Sequence, residues 1–265
     1  MRCCQSPSAS SRKSSRVRAV VFVAVVVVVC CLFGCGIGAC ASYTVVPEAA
    51  RLRISEEHTG ELLYLKQSMY AGRFYDDDRY RLLHPRRFEE LTYLLTVEGD
   101  PIPPPPAQEI IPAGTRVRVE KIEWPDGDAV FRRPLYTPRY TTWVFLRVAR
   151  ERGSETTIER SERHILLLPA GIADQETFNQ WFTASLSTKD TNPWLLALPE
   201  AQQHGIEQKR PAQGMSYETL TAALGFPDRL AREQQDGHTV EVAVYGSTSV
   251  VLKDGVVERF SSPHQ

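Results

Sequence analysis

The sequence predicts an α+β protein, on three observations. Val117, Val119 and Ile122 are set among Arg116, Arg118 and Lys121, the pattern of a half-buried strand. From Ala173 the period becomes helical, with Phe178, Trp181, Phe182 and Leu186 at the spacing of a buried face. After Gly214 a short, punctuated helix precedes further alternating segments, so helices and strands are segregated along the chain. With 265 residues and 42% apolar content, the chain can bury the core of one or two domains.

The N-terminus sets the compartment. Cys3, Cys4, Cys30, Cys31, Cys35 and Cys40 are all the cysteines of the chain, so the body has no disulfide scaffold, zinc–thiolate site or cysteine nucleophile. Arg2, Arg12, Lys13, Arg16 and Arg18 precede the first acid, and an uninterrupted apolar run extends from Ala19 to Ala41, as in an export signal. Residues 1–39 are read as a signal peptide or membrane anchor. Ile37-Gly38-Ala39-Cys40 resembles a bacterial lipoprotein signal, in which a branched residue and two small ones precede the cysteine that is lipidated and becomes the new first residue. Cys35 is the alternative, in a poorer context because Phe33 is bulky. At about 1.5 Å per residue the same run also spans a hydrocarbon core of about 30 Å, so a single-pass membrane protein is the other reading. In both, the positive flank stays inside and the body is exported.

Residues 40–100 form an N-terminal mixed segment. Tyr43 to Arg53 reads as a tether running into a strand, and Glu61 to Leu83 shows no clean period. Arg86 to Leu95 places Phe88, Leu91, Leu94 and Leu95 on one face of a short helix after Pro85. Pro101, Pro103, Pro104, Pro105 and Pro106 make residues 101–109 a stiff polyproline II spacer. Residues 110–170 follow as a β-rich domain, with strands at Arg116, from Thr141 to Arg150 and from Thr156 to Leu168. Turns around Pro125, Pro134 and Pro138 suggest a small antiparallel sheet or an SH3-like barrel. Residues 171–205 are a helical connector: Asp174 caps a helix through Leu186, Asn192-Pro193 starts another, and a polar helix follows Pro199.

Residues 206–265 carry the most informative string. In GMSYETLTAALGFP, from Gly214 to Pro227, Ser216 is an N-cap, Leu220 and Leu224 share a face, Gly225 suits a left-handed helix end and Pro227 prevents continuation. Val240, Val242 and Val244 alternate, and Asp254-Gly255 is a two-residue hairpin turn. Ile206 to Phe260 resembles the BamE-like (SmpA/OmlA) family of small outer-membrane lipoproteins that accompany the β-barrel assembly machine. The resemblance lies in Gly214-Met215-Ser216, Leu224-Gly225 with Pro227, the Tyr245 strand and the closing hairpin. It implies a helix with a three-stranded antiparallel sheet, and an envelope interaction module.

Chemical signatures are sparse. The chain lacks H-E-x-x-H, a phosphate loop, G-x-S-x-G and G-x-G-x-x-G. Asp76-Asp77-Asp78 reads as a solvated loop, His58 and Glu61 as two ligands without a third, and Gly246-Ser247-Thr248-Ser249 as a turn, so no catalytic residue, metal site or cofactor is assigned. Without its leader the body is mildly acidic, which argues against nucleic acid. The expected function is a membrane-anchored envelope lipoprotein, in the outer rather than the inner membrane, with a non-catalytic binding or scaffolding role. It holds membrane lipid through its N-terminal anchor, and envelope proteins or peptidoglycan through its body. The alternative is an envelope hydrolase with a site near Asp76 to His84. A pocket joining His84 to an aspartate marks the hydrolase, and an exposed apolar groove marks binding.

Overall fold

In the computed structural model the chain divides into Met1–Tyr43 and Thr44–Gln265. The structure describes residues 46–149 and 162–261, all in the second unit. This unit is α+β. Helix α1 (Glu48–His58) leads into β1 (Leu62–Leu65), β2 (Met69–Phe74) and β3 (Asp77–His84). Then come β4 (Glu109–Ile111), β5 (Arg116–Glu123), α2 (Gly127–Arg132), β6 (Thr141–Val148), β7 (Arg163–Ala170), α3 (Gln175–Ser185) and β8 (Leu186–Ser187). Two short helices, α4 (Asn192–Leu196) and α5 (Glu200–Glu207), lead to α6 (Tyr217–Leu224) and the strands β9 (Arg229–Gln235), β10 (His238–Tyr245), β11 (Thr248–Lys253) and β12 (Val256–Ser261).

Strands β1 to β8 form one sheet in the order β4-β2-β3-β7-β6-β5-β1-β8, antiparallel except for the parallel pair β3·β7. This corrects the expected division of the chain. Strands from residues 40–100 and 110–170 interleave, so β5, β6 and β7 are flanked by β1 and β3 instead of closing into a small barrel of their own. The Pro-rich segment is not a spacer between sheets. It lies against β2, where a side chain at Gly72 would come 3.2 Å from Ala107 Cα and 3.3 Å from Pro106 O. Gln108 N then donates to Ala71 O at 2.8 Å, and β4 continues the sheet.

Other expectations change for local reasons. Of the stretch expected to run from tether into strand, residues 43–45 lie outside the described residues and Glu48 to Arg53 belong to α1, because Ala49, Ala50, Arg51, Leu52 and Arg53 are good helix formers following Pro47. Arg86 to Leu95 gives only one 3₁₀ turn, Phe88–Glu90; Phe88 and Leu91 pack into the aromatic cluster on the sheet while Leu95 stays exposed. The three acids are not a loop. Tyr75, at φ 46°, and Asp76 form the turn, and Asp77 is buried at the start of β3. The Asp77 carboxylate accepts from Arg79 Nε at 2.8 Å and Nη2 at 2.7 Å, and those bonds hold its pKa down.

The sheet separates two cores. One face buries Leu63, Leu83, Val119, Leu146 and Leu166 against Ile54 of α1 and Phe178 and Phe182 of α3. The other carries Phe74, Phe88, Trp143 and Phe145. Asp174 caps α3 as expected, accepting from Thr177 N at 2.7 Å. Asn192 is the first helical residue of α4 and not its cap; its Nδ2 donates to Gly114 O at 3.0 Å. In the C-terminal part Ser216 caps α6, accepting from Thr219 N at 3.1 Å, and Gly225 ends it at φ 87°. The sheet there has four strands, not three, in the order β12-β11-β10-β9. The extra strand, RLAREQQ, is exposed along its whole length and so carries no apolar alternation to read.

Candidate functional site: a cleft beside the C-terminal unit

The bend Lys66-Gln67-Ser68 between β1 and β2 is the seam on which the C-terminal unit sits. Ser68 N donates to Ala222 O of α6 at 2.8 Å, and Ser68 Oγ donates to Ile206 O of α5 at 2.6 Å. Lys209, in the left-handed region at φ 49°, sends its side chain inward, where Nζ donates to Ser68 O at 2.6 Å and Ala223 O at 3.1 Å. The Tyr70 ring centroid lies 5.2 Å from that nitrogen. Burial, with Arg87 nearby, pushes the Lys209 pKa down to about 7.

Above this seam opens a cleft of about 550 Å³. Leu168 and Pro169 of β7, Trp181 of α3, Leu224 at the end of α6, and Phe226 and Pro227 after it form its apolar walls. Trp181 is 46% exposed and Phe226 55%, large values for aromatic rings that line one cleft. Trp181 was expected in the core with Phe178 and Phe182; those two are buried, whereas the Trp181 ring turns outward. A smaller depression of about 230 Å³ shares Pro85, Arg86, Glu90, Leu224 and Phe226 with it and adds Arg87, Lys209 and Arg210.

His84 lines the larger cleft, but its chemistry is closed. Nδ1 accepts from Arg86 N at 3.0 Å, which places the proton of the neutral ring on Nε2, 3.2 Å from the Tyr93 hydroxyl. Both ring nitrogens are thus engaged, and burial holds the pKa at about 3. Burial also pushes the Tyr93 pKa up to about 12. A neutral histidine with no free lone pair is a poor general base.

The structure does not bring Asp76, Asp77 and Asp78 to His84. Asp76 lies in the turn before β3 and Asp77 and Asp78 at its start, whereas His84 ends this eight-residue strand about 23 Å long, and the residues lining the cleft with His84 include no aspartate. His58 and Glu61 do meet, at 2.7 Å, but the His58 ring packs on Phe182 with centroids 4.3 Å apart, so the pair serves packing. Gly246 and Ser247 are a turn, with Gly246 N donating to Asp228 Oδ2 at 2.7 Å. Cys40 and Cys35, with the run from Ala19 to Ala41, lie outside the described residues. Among the described residues no helix is long and apolar enough to cross a membrane. One group of three metal-ligating side chains comes together among the described residues, Glu109, Glu162 and His164, and none of them lines the cleft.

Sequence reasoning missed Phe226 and misplaced Trp181. The available signal was an aromatic residue directly after a helix-ending glycine and before a proline, a position that cannot continue into a core helix. Compared with known proteins, the chain matches no family model, no curated protein and no solved structure.

Proposed function

We propose that this chain is a membrane-anchored envelope lipoprotein with a non-catalytic binding role, exercised through the cleft between Trp181 and Phe226. The cleft itself carries the reading: its walls are apolar, two large rings stand exposed on them, and its histidine has both nitrogens engaged. Such walls suit the side chains of an envelope protein better than the polar sugars of peptidoglycan. The BamE-like reading of residues 206–265 rests on the Ser216 cap, the Gly225 helix end and the Asp254-Gly255 turn, where φ is 50° and 78°. It agrees with an interaction module in the envelope.

Two measurements test this. Labelled palmitate is expected to enter the wild-type chain and not Cys40→Ser; loss of label in Cys35→Ser alone would move the lipid five residues earlier. Crosslinked capture from intact envelopes is expected to recover one set of proteins with wild-type bait and at least tenfold less with Trp181→Ser/Phe226→Ser. Both substitutions are at exposed positions, so the fold should survive them. Unchanged capture by the double variant would remove the cleft from the function.

A further inference from the structure

A second site lies on the eight-stranded sheet. Glu109 of β4 pairs in register with Ala71, and His164 of β7 with Arg81, which places them on the face that also carries Leu83 and Leu166. Glu162 precedes β7. One ligand atom each from Glu109, Glu162 and His164 lies within 4.8 Å of the others. Three observations on this group point to a ligand.

The first is His164. It is 4% exposed, and Nδ1 lies 3.1 Å from the main-chain carbonyl of Glu162. A carbonyl only accepts, so Nδ1 carries the proton and Nε2 carries the lone pair. Nε2 is buried and has no hydrogen-bond partner. A buried acceptor without a donor is costly and uncommon. A ring fixed by an Nδ1–H bond to a carbonyl, with the other nitrogen open, is the arrangement found in metal-binding histidines, because the bond sets both tautomer and orientation.

The second is Arg81, which donates to Glu162 Oε2 at 2.8 Å and pairs with Glu109 Oε1 at 2.9 Å. It holds two carboxylates side by side that would otherwise repel each other. A carboxylate has about four lone-pair sites, so a guanidinium and an ion can share it, the guanidinium fixing where the carboxylates stand. The third is access. Glu109 and Glu162 are about half exposed, which leaves an entry path and room for water at an open coordination position.

We propose that Glu109, Glu162 and His164 form a zinc site with one nitrogen and two oxygen donors and a fourth, solvent-held position. The imidazole argues against magnesium and calcium, which take oxygen ligands. Zinc needs ligands at about 2.0–2.2 Å, so the three side chains must close in slightly, which the two surface carboxylates can do. Arg81 competes for the same carboxylates, so the expected affinity is micromolar, about 1–10 µM, not the nanomolar of a closed structural site.

Calorimetric titration of the untagged full-length chain in detergent with zinc chloride, its free cysteines first alkylated so that no thiolate takes the metal, tests the proposal. One zinc per chain is expected, at least tenfold weakened by Glu109→Gln and by Glu162→Gln, and unchanged by Glu48→Gln on α1. Cobalt(II) is expected to give a visible absorption band that both carboxylate variants reduce; this readout needs no knowledge of activity, and the surface positions of the variants avoid a folding defect. Wild type without zinc binding at 100 times the expected dissociation constant would overturn the site. So would zinc binding unchanged in both variants, which would place the ion elsewhere.

Discussion

Gly225→Val is expected to lower the stability of the full-length chain by about 2–3 kcal/mol, mostly a backbone effect with a smaller contact effect added. At φ 87° and ψ −160° the residue sits in a region that only glycine occupies without strain. The contact compounds it, because a Cβ there would lie 2.2 Å from Gln67 Oε1. Gln67 is itself buried on the bend between β1 and β2, but its side chain is flexible and lines the cleft, so it must turn into that space to make room and the contact adds less than a backbone clash would. Two other glycines separate the effects. Gly237 has φ 80° but nothing within 4 Å of an added Cβ, so Gly237→Val is expected to cost about 1 kcal/mol through conformation alone. Gly127, at the start of α2, has neither constraint, and Gly127→Ala is expected to change stability by less than about 0.5 kcal/mol. Urea unfolding of the three variants should show this order. Equal losses for Gly225→Val and Gly237→Val would mean that the helix end is not pinned against Gln67.

The same residues show what the sequence discloses. Local chemistry was legible: the Ser216 and Asp174 caps, the Gly225 helix end and the Asp254-Gly255 turn each depend on a side chain or backbone preference within a few residues. Partnership between distant strands was not. β1 has four residues and β4 three, too short to establish a period, yet they decide that residues 62–65 and 109–111 belong to one sheet. β9 failed for a different reason, since an exposed edge strand needs no apolar face. No ladder strand runs through Pro103 to Pro106, but composition said nothing of the Gly72 backbone the stretch lies on, nor that its last residue, Glu109, starts β4. The cleft was legible only as aromatics at helical spacing. Whether Trp181 turns toward the core or the cleft depends on the C-terminal unit that its period does not describe. The carboxylates and His164 are brought together by strand order, and no spacing announces them.

Lys209 is expected to make the protein more stable as pH rises from 7 to 10. Its ammonium is enclosed between the Ser68 and Ala223 carbonyls and the Tyr70 ring, and burial brings its pKa to about 7, against about 10.4 in an unfolded chain. Between those values the unfolded chain holds a proton that the folded chain has released, so alkali favours folding. Integrated from pH 7 to 10, the gain is on the order of 3 kcal/mol. The neutral amine keeps two N–H donors, so both carbonyl bonds survive deprotonation. His84 acts in the same direction but lower, between about 6.5 and about 3, outside this window. Tyr75 and Tyr245, whose pKa values burial raises, oppose the trend only above about pH 10, where tyrosines of the unfolded chain ionise. Unfolding free energies at pH 7, 8.5 and 10 test this against Lys209→Met, which keeps the apolar stem and cannot titrate. The variant leaves two carbonyls without a donor, a loss of about 1–3 kcal/mol, but it also removes the cost of burying an ammonium. It should therefore lie close to wild type at pH 7 and well below it at pH 10. A variant that gained as much stability as wild type over that range would assign the proton to another group and leave Lys209 as a hydrogen-bond donor only.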